Sequence, residues 1–227
     1  MVHPSNPLLE AVMPRSGLPA RQVRWRAGQV IFAEGDPGTC LYLITEGRVR
    51  VGRHRTDRDC LFTVLGPGEI FGEESVFDPR PRTSRAIATT DVVTLSLERD
   101  AVLALVTTQP DLAQRFLRIM ARRIRSTSSN ITDTVYASVA ARVAKHLLGL
   151  AQRFGVQEHA VMRVPMDLTQ EQFAHLVGTS RESVNKALCD FAARGWIVVE
   201  RDSIVIRESE PLAVRMRGAR RAHLAGR

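Results

Sequence analysis

The sequence has few cysteines and histidines, and it does not group them. Cys40, Cys60 and Cys189 are odd in number and far apart, which excludes a disulfide framework and the close ligand spacings of zinc and iron–sulfur sites. The six histidines are equally dispersed. We therefore expect reduced thiols within the core and no metal site.

Long apolar runs are also missing. The longest are interrupted within a few residues, and the first residues have no basic-then-apolar arrangement of the kind that marks a signal peptide. We therefore expect a cytoplasmic protein without membrane contact. No pattern of serine, histidine and aspartate, of paired carboxylates or of metal ligands converges, so an enzyme is not expected and no catalytic residue is assigned.

Lysine is almost absent, and arginine carries the positive charge. The formal net charge is +8 over 227 residues, and Lys145 and Lys186 are the lysines. From Ala137 onward the sequence holds 14 basic and 9 acidic residues. This modest excess places a polyanion-binding surface in the C-terminal part, although an ordinary solvated surface would have much the same composition.

Short strand-like runs fill the first half of the chain. They are rich in β-branched and aromatic residues and are separated by turn residues such as Gly35, Gly47 and Gly68. The runs cover residues 23–26, 30–32, 41–44, 49–51, 61–65 and 92–97. Their spacing predicts an all-β sandwich or barrel. Before residue 22 we expect at most one short helix.

Residues 71–84 combine the groups that a phosphate ester requires. Gly72 and Glu73 open a tight turn or helix start, where backbone N–H groups can face an anion. Arg82 can donate paired hydrogen bonds to phosphate oxygens, Thr83 can donate a hydroxyl, and Glu73 can accept from a sugar hydroxyl. The segment predicts a cyclic-nucleotide pocket, although the same residue types are also common in surface loops.

After Pro110 the apolar residues recur at three- and four-residue steps, which predicts a helix. One stripe consists of Leu117, Met120, Ile124, Thr127, Ile131 and Thr134, and an adjacent one of Leu112, Phe116 and Ile119. If one stripe covers the barrel, the other can meet a second copy, so we expect a parallel homodimer. The alternative is a single stripe that lies on its own barrel. Thr127 and Ser128 would need a polar partner in a dry interface, and a ligand base could be that partner.

The C-terminal part predicts a winged helix-turn-helix. Residues 137–154 form an amphipathic helix, and the segment 167–172, which includes Thr169, supplies a helix N-terminus. Gly178 suits the turn before a second helix that Ser180 caps. Residues 196–206 predict a hairpin, which would be the wing.

The exposed face of the second helix carries side chains that read base pairs. Arg181 can bind guanine O6 and N7, Glu182 can accept from cytosine N4, and Lys186 can reach a second guanine. Ser183 can hold a phosphate. An ion pair between Glu182 and Lys186 on a solvated helix would explain the charges but not the surrounding helix-turn-helix and wing. We therefore predict sequence-specific binding of double-stranded DNA.

The segments 30–35, 41–47 and 66–73 resemble the cyclic-nucleotide-binding jelly roll of the cyclic-AMP receptor protein and fumarate–nitrate regulator superfamily, and residues 180–184 are similar to its recognition-helix motif. The resemblance covers nearly the whole chain. It implies an α+β fold with a β jelly roll at 1–109, a dimerisation helix at 110–136 and a winged helix-turn-helix at 137–208. We expect residues 209–227 to be a basic, mobile tail.

The resemblance also implies a ligand and its contacts. The effector would be cyclic AMP, held by Gly72, Glu73, Arg82 and Thr83, with Thr127 of the same subunit and the partner subunit's Ser128 at the purine. The DNA-contacting residues would be Thr169, Ser180, Arg181, Glu182, Ser183 and Lys186. The implied protein is a homodimer that binds palindromic sites with TGTGA-like halves, and RNA polymerase is a candidate partner.

Glu74 departs from the family pattern, because it stands where relatives usually carry an apolar residue. A second carboxylate near a phosphate opposes binding unless it points at Arg80 or Arg85. We therefore expect weaker cyclic-AMP binding than in a typical relative, or partial DNA binding without ligand. The alternatives are a regulator of this fold with another effector and a cyclic-nucleotide-binding regulatory subunit of another protein. Redox-sensing relatives would need a cysteine cluster or haem ligands.

Overall fold

The computed structural model describes residues 20–55 and 58–224, and the chain divides between Ile124 and Arg125 into two compact units. The expected short helix near the N-terminus falls on residues 1–19, outside the described part. Within that part, no helix is long and apolar enough to cross a membrane.

Two four-stranded antiparallel sheets form the β part of the first unit, with strand orders β1-β8-β3-β6 and β2-β7-β4-β5. The strands are β1 Ala20–Trp25, β2 Val30–Phe32, β3 Cys40–Glu46, β4 Val49–Arg55, β5 Arg58–Leu65, β6 Ile70–Phe71, β7 Arg85–Ala88 and β8 Val92–Glu98. All six predicted strand regions are confirmed. Strands β6 and β7 were missed, because two- and four-residue segments are too short to show an alternating pattern.

Aromatic rings fill the space beside β6. Tyr42 and Phe71 stack with ring centroids 5.1 Å apart, and Phe32 stacks on both. Trp25 meets Tyr42 edge-on and donates its indole N–H to the Thr94 hydroxyl at 3.1 Å. Burial raises the pKa of Tyr42, so this side chain stays neutral and packs as an aromatic ring.

The described part of the first unit also contains the helices α1 Glu74–Phe77, α2 Arg99–Thr108 and the long α3 Pro110–Tyr136, whose last part belongs to the second unit. Leu112 and Phe116 of α3 are buried in a core that contains Leu41, Leu43 and Leu97. One of the two predicted stripes of α3 therefore covers the barrel, and the structure identifies it as the stripe of Leu112 and Phe116. Helix α2 was not predicted.

The second unit combines four helices of the described chain, beside the end of α3, with a four-stranded sheet of order β11-β12-β10-β9. Its elements are α4 Val139–Phe154, β9 Val156–Glu158, β10 Val161–Pro165, α5 Gln170–Val177, α6 Arg181–Ala193, β11 Ile197–Val199, β12 Ser203–Ile206 and α7 Ser209–Leu224. The predicted hairpin is β11–β12, closed by the Glu200 N–H donating to the Ser203 carbonyl at 2.9 Å. Strands β9 and β10 were missed.

The structure corrects two expectations. The segment from Ser209 was predicted to be a mobile tail, but it begins as helix α7, and Leu212 is fully buried in the core of the second unit. Cys40 is buried as expected, whereas Cys60 and Cys189 are exposed. Side chains alternate along a strand, so burial of Leu61 turns Cys60 outward.

His146 on α4 provides a pH test of the second unit. Burial, together with Lys145 and Arg142, lowers the pKa of His146 from 6.5 to about 4, while Asp133 opposes this shift. The folded state therefore disfavours the proton that the unfolded chain binds below pH 6.5. Stability from this group is fully present above about pH 6.5 and is lost as the pH falls toward about 4.

The loss amounts to at most about 3 kcal/mol. We expect His146→Gln to flatten the decline in unfolding free energy between these pH values, because glutamine does not titrate. Urea denaturation of the native protein and of His146→Gln across this pH range measures the difference between their unfolding free energies. The titration of carboxylates is common to both proteins and cancels in that difference. Identical pH profiles would contradict the assignment.

Candidate ligand pocket and nucleic-acid interface

Gly72, directly after β6, occupies a position that admits no side chain. Its φ is +77°, in the left-handed region, and a Cβ there would lie 2.6 Å from Nη1 of Arg82. The glycine therefore allows both the turn into α1 and the close approach of the guanidinium.

Arg82 is buried, with 4% of its surface exposed. Its Nη1 donates to the Gly72 carbonyl at 2.6 Å, its Nη2 donates to the Cys40 carbonyl at 2.5 Å, and its Cζ lies 4.4 Å from the Phe32 ring centroid. Its Nε has no hydrogen-bond partner, and Arg82 forms no ion pair within the described chain. A buried cation held by carbonyls, with an unused N–H, is prepared for an anionic ligand.

Glu73 is 2% exposed and is paired with Arg123 of α3, which the sequence analysis did not identify. Arg123 donates from Nη1 to Glu73 Oε1 and from Nη2 to the Ile70 carbonyl. The other carboxylate oxygen, Oε2, is buried without a partner. It can accept a hydroxyl from a ligand. Arg123 lies among several arginines of an amphipathic helix, so its sequence context did not distinguish it.

Thr83 is exposed, and its hydroxyl donates to Oε2 of Glu74 at 2.7 Å. Its carbonyl accepts from Nε of Arg53 at 2.6 Å. Arg80 instead pairs with Asp78 at 3.0 Å. The sequence left open whether Glu74 points at Arg80 or Arg85, and the structure directs it to Thr83, one of the predicted phosphate donors.

The remaining predicted ligand residues, Thr127 and Ser128, are exposed on α3 and belong to the second unit. The first unit therefore contains Gly72, Glu73, Arg82 and Thr83 together, and the role of Thr127 and Ser128 stays a prediction. Within residues 20–55 and 58–224, no cluster of histidine, cysteine or acidic residues could hold a metal ion.

The predicted seam of α3 leaves large apolar side chains in solvent. Leu117, Ile124 and Ile131, spaced seven residues apart, are 68%, 67% and 63% exposed. Met120 differs, because it packs partly against the core of the barrel. An exposed heptad stripe on a helix whose other stripe is buried marks a surface for a partner.

The helix-turn-helix is built as its sequence predicts. Thr169 caps α5 through a reciprocal capping box with Gln172, and Gly178 ends α5 with φ +73°. The Ser180 hydroxyl accepts the Ser183 N–H at 3.2 Å and caps α6. These caps fix the angle at which α6 leaves the turn.

The outer face of α6 presents Arg181, Glu182 and Lys186 to solvent. Arg181 touches Gln170 of α5 at 3.4 Å, and in the described structure Glu182 and Lys186 form no ion pair with each other. Glu182 and Lys186 are therefore not paired with each other, whereas Arg181 Nε donates a hydrogen bond to Gln170 Oε1. Ser183 is half-buried and its hydroxyl accepts that of Ser180 at 3.0 Å, which leaves its own hydrogen to donate, and its phosphate contact stays a prediction.

Asn185 lies on the same exposed face and was not singled out from the sequence. It is one helical turn beyond Arg181, where an amide can bind adenine N6 and N7. Because Asn185 lies four residues after Arg181, the spacing along the helix could have placed it on the same face from sequence.

The wing is held by an ionic network across the sheet of the second unit. Arg163 on β10 donates to Glu158 at 2.9 Å, to Glu200 at the wing turn and to the Ser203 hydroxyl at 2.7 Å. Hydrogen bonds from Arg163 and then Ser203 lower the pKa of Glu200. The network ties the turn of the wing hairpin to β10.

Two basic residues of α4 join the end of α3 to the helix-turn-helix. Arg142, 9% exposed, donates to the carbonyls of Thr134 and Gly178 at 3.2 Å. Lys145 donates to Asn130 at 2.9 Å and pairs with Asp133. Arg142 therefore links the C-terminal part of α3 to the turn that positions α6.

Family models match both parts of the chain. Residues 22–109 match the cyclic nucleotide-binding domain, and residues 141–215 match the Crp-like helix-turn-helix domain.

Individual relatives show the same pattern. The chain is 51% identical over 191 residues to a CRP-like cAMP-activated global transcriptional regulator of Mycobacterium tuberculosis, covering 84% of this chain and 85% of that one. It is 33% identical to the cyclic AMP receptor protein of Thermus thermophilus, with 80% and 82% covered. A solved CRP-family transcriptional regulator of Thermus thermophilus matches with a TM-score of 0.73 at 26% identity, over 86% of this chain and 96% of that one.

Proposed function

The chain belongs to the cyclic-AMP receptor protein and fumarate–nitrate regulator superfamily, a family of transcription regulators rather than enzymes, and from this premise we propose that it is a cyclic-AMP-responsive homodimer that binds palindromic DNA. Residues 1–109 would bind the effector, 110–136 would form the dimer helix and 137–208 would bind DNA. RNA polymerase stays a proposed partner.

The observation that carries this proposal is the unpaired, buried guanidinium of Arg82. A buried charge without a counterion is costly, so a protein keeps one where a ligand supplies the opposite charge. The free Arg82 Nε can donate to a cyclic phosphate, and the free Glu73 Oε2 can accept a ribose hydroxyl. The relative that is 51% identical is named as cAMP-activated, which favours cyclic AMP as the ligand.

The contacts suggest how the pocket acts on the DNA-binding helices. Glu73 pairs with Arg123 on α3, and Lys145 holds Asn130 and Asp133 near the end of the same helix. A ribose hydroxyl on Glu73 changes the environment of the Arg123 pair and therefore of α3. Such a ligand shifts the population of helix-turn-helix arrangements only by as much as it binds one arrangement better than the other.

The decisive experiment measures DNA binding with and without cyclic AMP. Fluorescence anisotropy with a duplex of two TGTGA-like half-sites should show tighter binding when cyclic AMP is added. A duplex with scrambled half-sites is the control and should show weak, salt-dependent binding in both conditions. Equal affinity for the two duplexes would refute sequence-specific recognition, and an unchanged affinity with cyclic AMP would refute the effector role.

Arg181→Ala is expected to weaken binding to the specific site by roughly 1–3 kcal/mol and to relax the preference at one base position, because a bidentate contact to guanine is lost. The measurement is anisotropy against a set of duplexes substituted at each half-site position. Arg194→Ala is the matched control, because Arg194 caps the other end of α6 and pairs with Asp190 at 3.0 Å. An Arg181 variant with an unchanged base preference would contradict the assignment.

A further inference from the structure

Glu74 lies at the exposed side of the phosphate pocket and contacts one of its proposed donors. Its Oε2 accepts the Thr83 hydroxyl at 2.7 Å, and both residues are exposed. The preceding carboxylate is different, because Glu73 is buried and paired with Arg123. The two consecutive glutamates therefore have separate environments, since Glu73 is buried in an ion pair and Glu74 is exposed beside Thr83.

Glu74 and a ligand phosphate would compete for the same proton. A threonine hydroxyl has a single hydrogen, so Thr83 cannot donate to Glu74 and to a phosphate oxygen at once. A phosphate that displaced Glu74 from this hydroxyl would still lie close to the displaced carboxylate, where like charges repel.

Two arginines near Thr83 are engaged elsewhere. Arg80 pairs with Asp78 at 3.0 Å, and Arg53 pairs with Glu34 at 3.4 Å while its Nε donates to the Thr83 carbonyl. In the described part of the chain Glu74 forms no ion pair, so its charge stays uncompensated at the opening.

We propose that Glu74 sets both the affinity and the charge selectivity of the pocket. Its carboxylate competes for Thr83 and repels phosphate, so the protein responds only to high concentrations of the cyclic nucleotide. The repulsion grows with ligand charge, so it disfavours a phosphomonoester, with a charge of about −1.5 to −2 at neutral pH, more than a singly charged cyclic phosphodiester. This inference rests on the proposed function of the pocket.

The test uses Glu74→Gln, which keeps the size of the side chain and removes its charge. Calorimetry with the full-length protein should show the Kd for cyclic AMP falling about tenfold and the Kd for 5′-AMP falling by about thirtyfold or more. Both gains should shrink when KCl is raised from about 50 mM to about 500 mM, because salt screens exposed charges. Glu74→Asp keeps the charge and should stay within about threefold of the native protein.

A second background isolates the competition for the hydroxyl. In Thr83→Val there is no shared proton, so the further change of Glu74→Gln should bring a smaller gain than in the native protein. Equal gains in both backgrounds would overturn the competition for Thr83.

The remaining outcomes separate this inference from the proposed function. If the native protein binds cyclic AMP and Glu74→Gln binds both nucleotides no better, the role of Glu74 is overturned while the cyclic-nucleotide pocket stands. A gain that is equal for both nucleotides and independent of salt would overturn the charge selectivity. Absence of cyclic-AMP binding in every variant would overturn the proposed function and this inference with it.

Discussion

Arg82→Met is expected to weaken cyclic-AMP binding by at least about a hundredfold, because the ligand phosphate loses charge-assisted hydrogen bonds worth about 3 kcal/mol or more in total. The same change should alter the free energy of unfolding by less than about 2 kcal/mol, since two effects oppose each other. Removing a desolvated guanidinium stabilises the folded chain, whereas the carbonyls of Gly72 and Cys40 lose their donor.

Calorimetry and urea denaturation of the same variant measure the two quantities. Arg80→Met is the matched control, because Arg80 lies on the same loop, is exposed and pairs with Asp78. It should keep both the affinity and the stability of the native protein. A folded Arg82→Met protein that binds cyclic AMP within about threefold of the native Kd would refute the role of Arg82 as the phosphate ligand, on which the proposed function depends.

Ile124→Glu is expected to convert a dimer into monomers at micromolar concentration. In a symmetric parallel pair the two copies of Ile124 meet, so the substitution removes two buried isoleucines and opposes two carboxylates. Losing the burial alone is worth about 4 kcal/mol, or roughly a thousandfold in the dimer dissociation constant. Binding to a palindromic duplex should fall with it, because each monomer would then hold one half-site.

Sedimentation analysis distinguishes the 25.2 kDa chain from a particle of twice that mass. Val156→Glu is the control, since Val156 is an apolar side chain with a similar exposed fraction, 55%, on strand β9 rather than on α3. It should leave the mass unchanged. If Ile124→Glu keeps the native mass while the protein stays folded, the stripe of Leu117, Ile124 and Ile131 is not the dimer surface.

The pocket shows how far its residues could be assigned from sequence. Gly72, Glu73, Arg82 and Thr83 were identified from their types and spacing, and the first unit contains all four. The engagement of Arg82 with the carbonyls of Gly72 and Cys40 was not predictable, since Cys40 is 42 residues away along the chain. The same limit applies to Arg123, which pairs with Glu73 across 50 residues.

More of the DNA-binding unit than of the pocket could be predicted from the sequence, because its signals are local. Gly178, Ser180 and Thr169 act on residues within one helical turn, so the caps and the turn follow from the order of residue types. Strands β9 and β10 and the buried start of α7 were missed. Leu212 is an isolated leucine in a basic segment, and only the packing of α7 on the rest of the unit buries it.

The sequence by itself determined the six longer strands of the first unit, the wing hairpin, the two stripes of α3 and the recognition helix, because hydrophobic period and capping act between near neighbours. Only the tertiary structure decided which polar side chains are engaged. It paired Glu73 with Arg123, left Arg82 without a counterion and placed Glu74 on Thr83. Those partners come from different elements, and their distances depend on how the sheets and helices pack rather than on any local pattern.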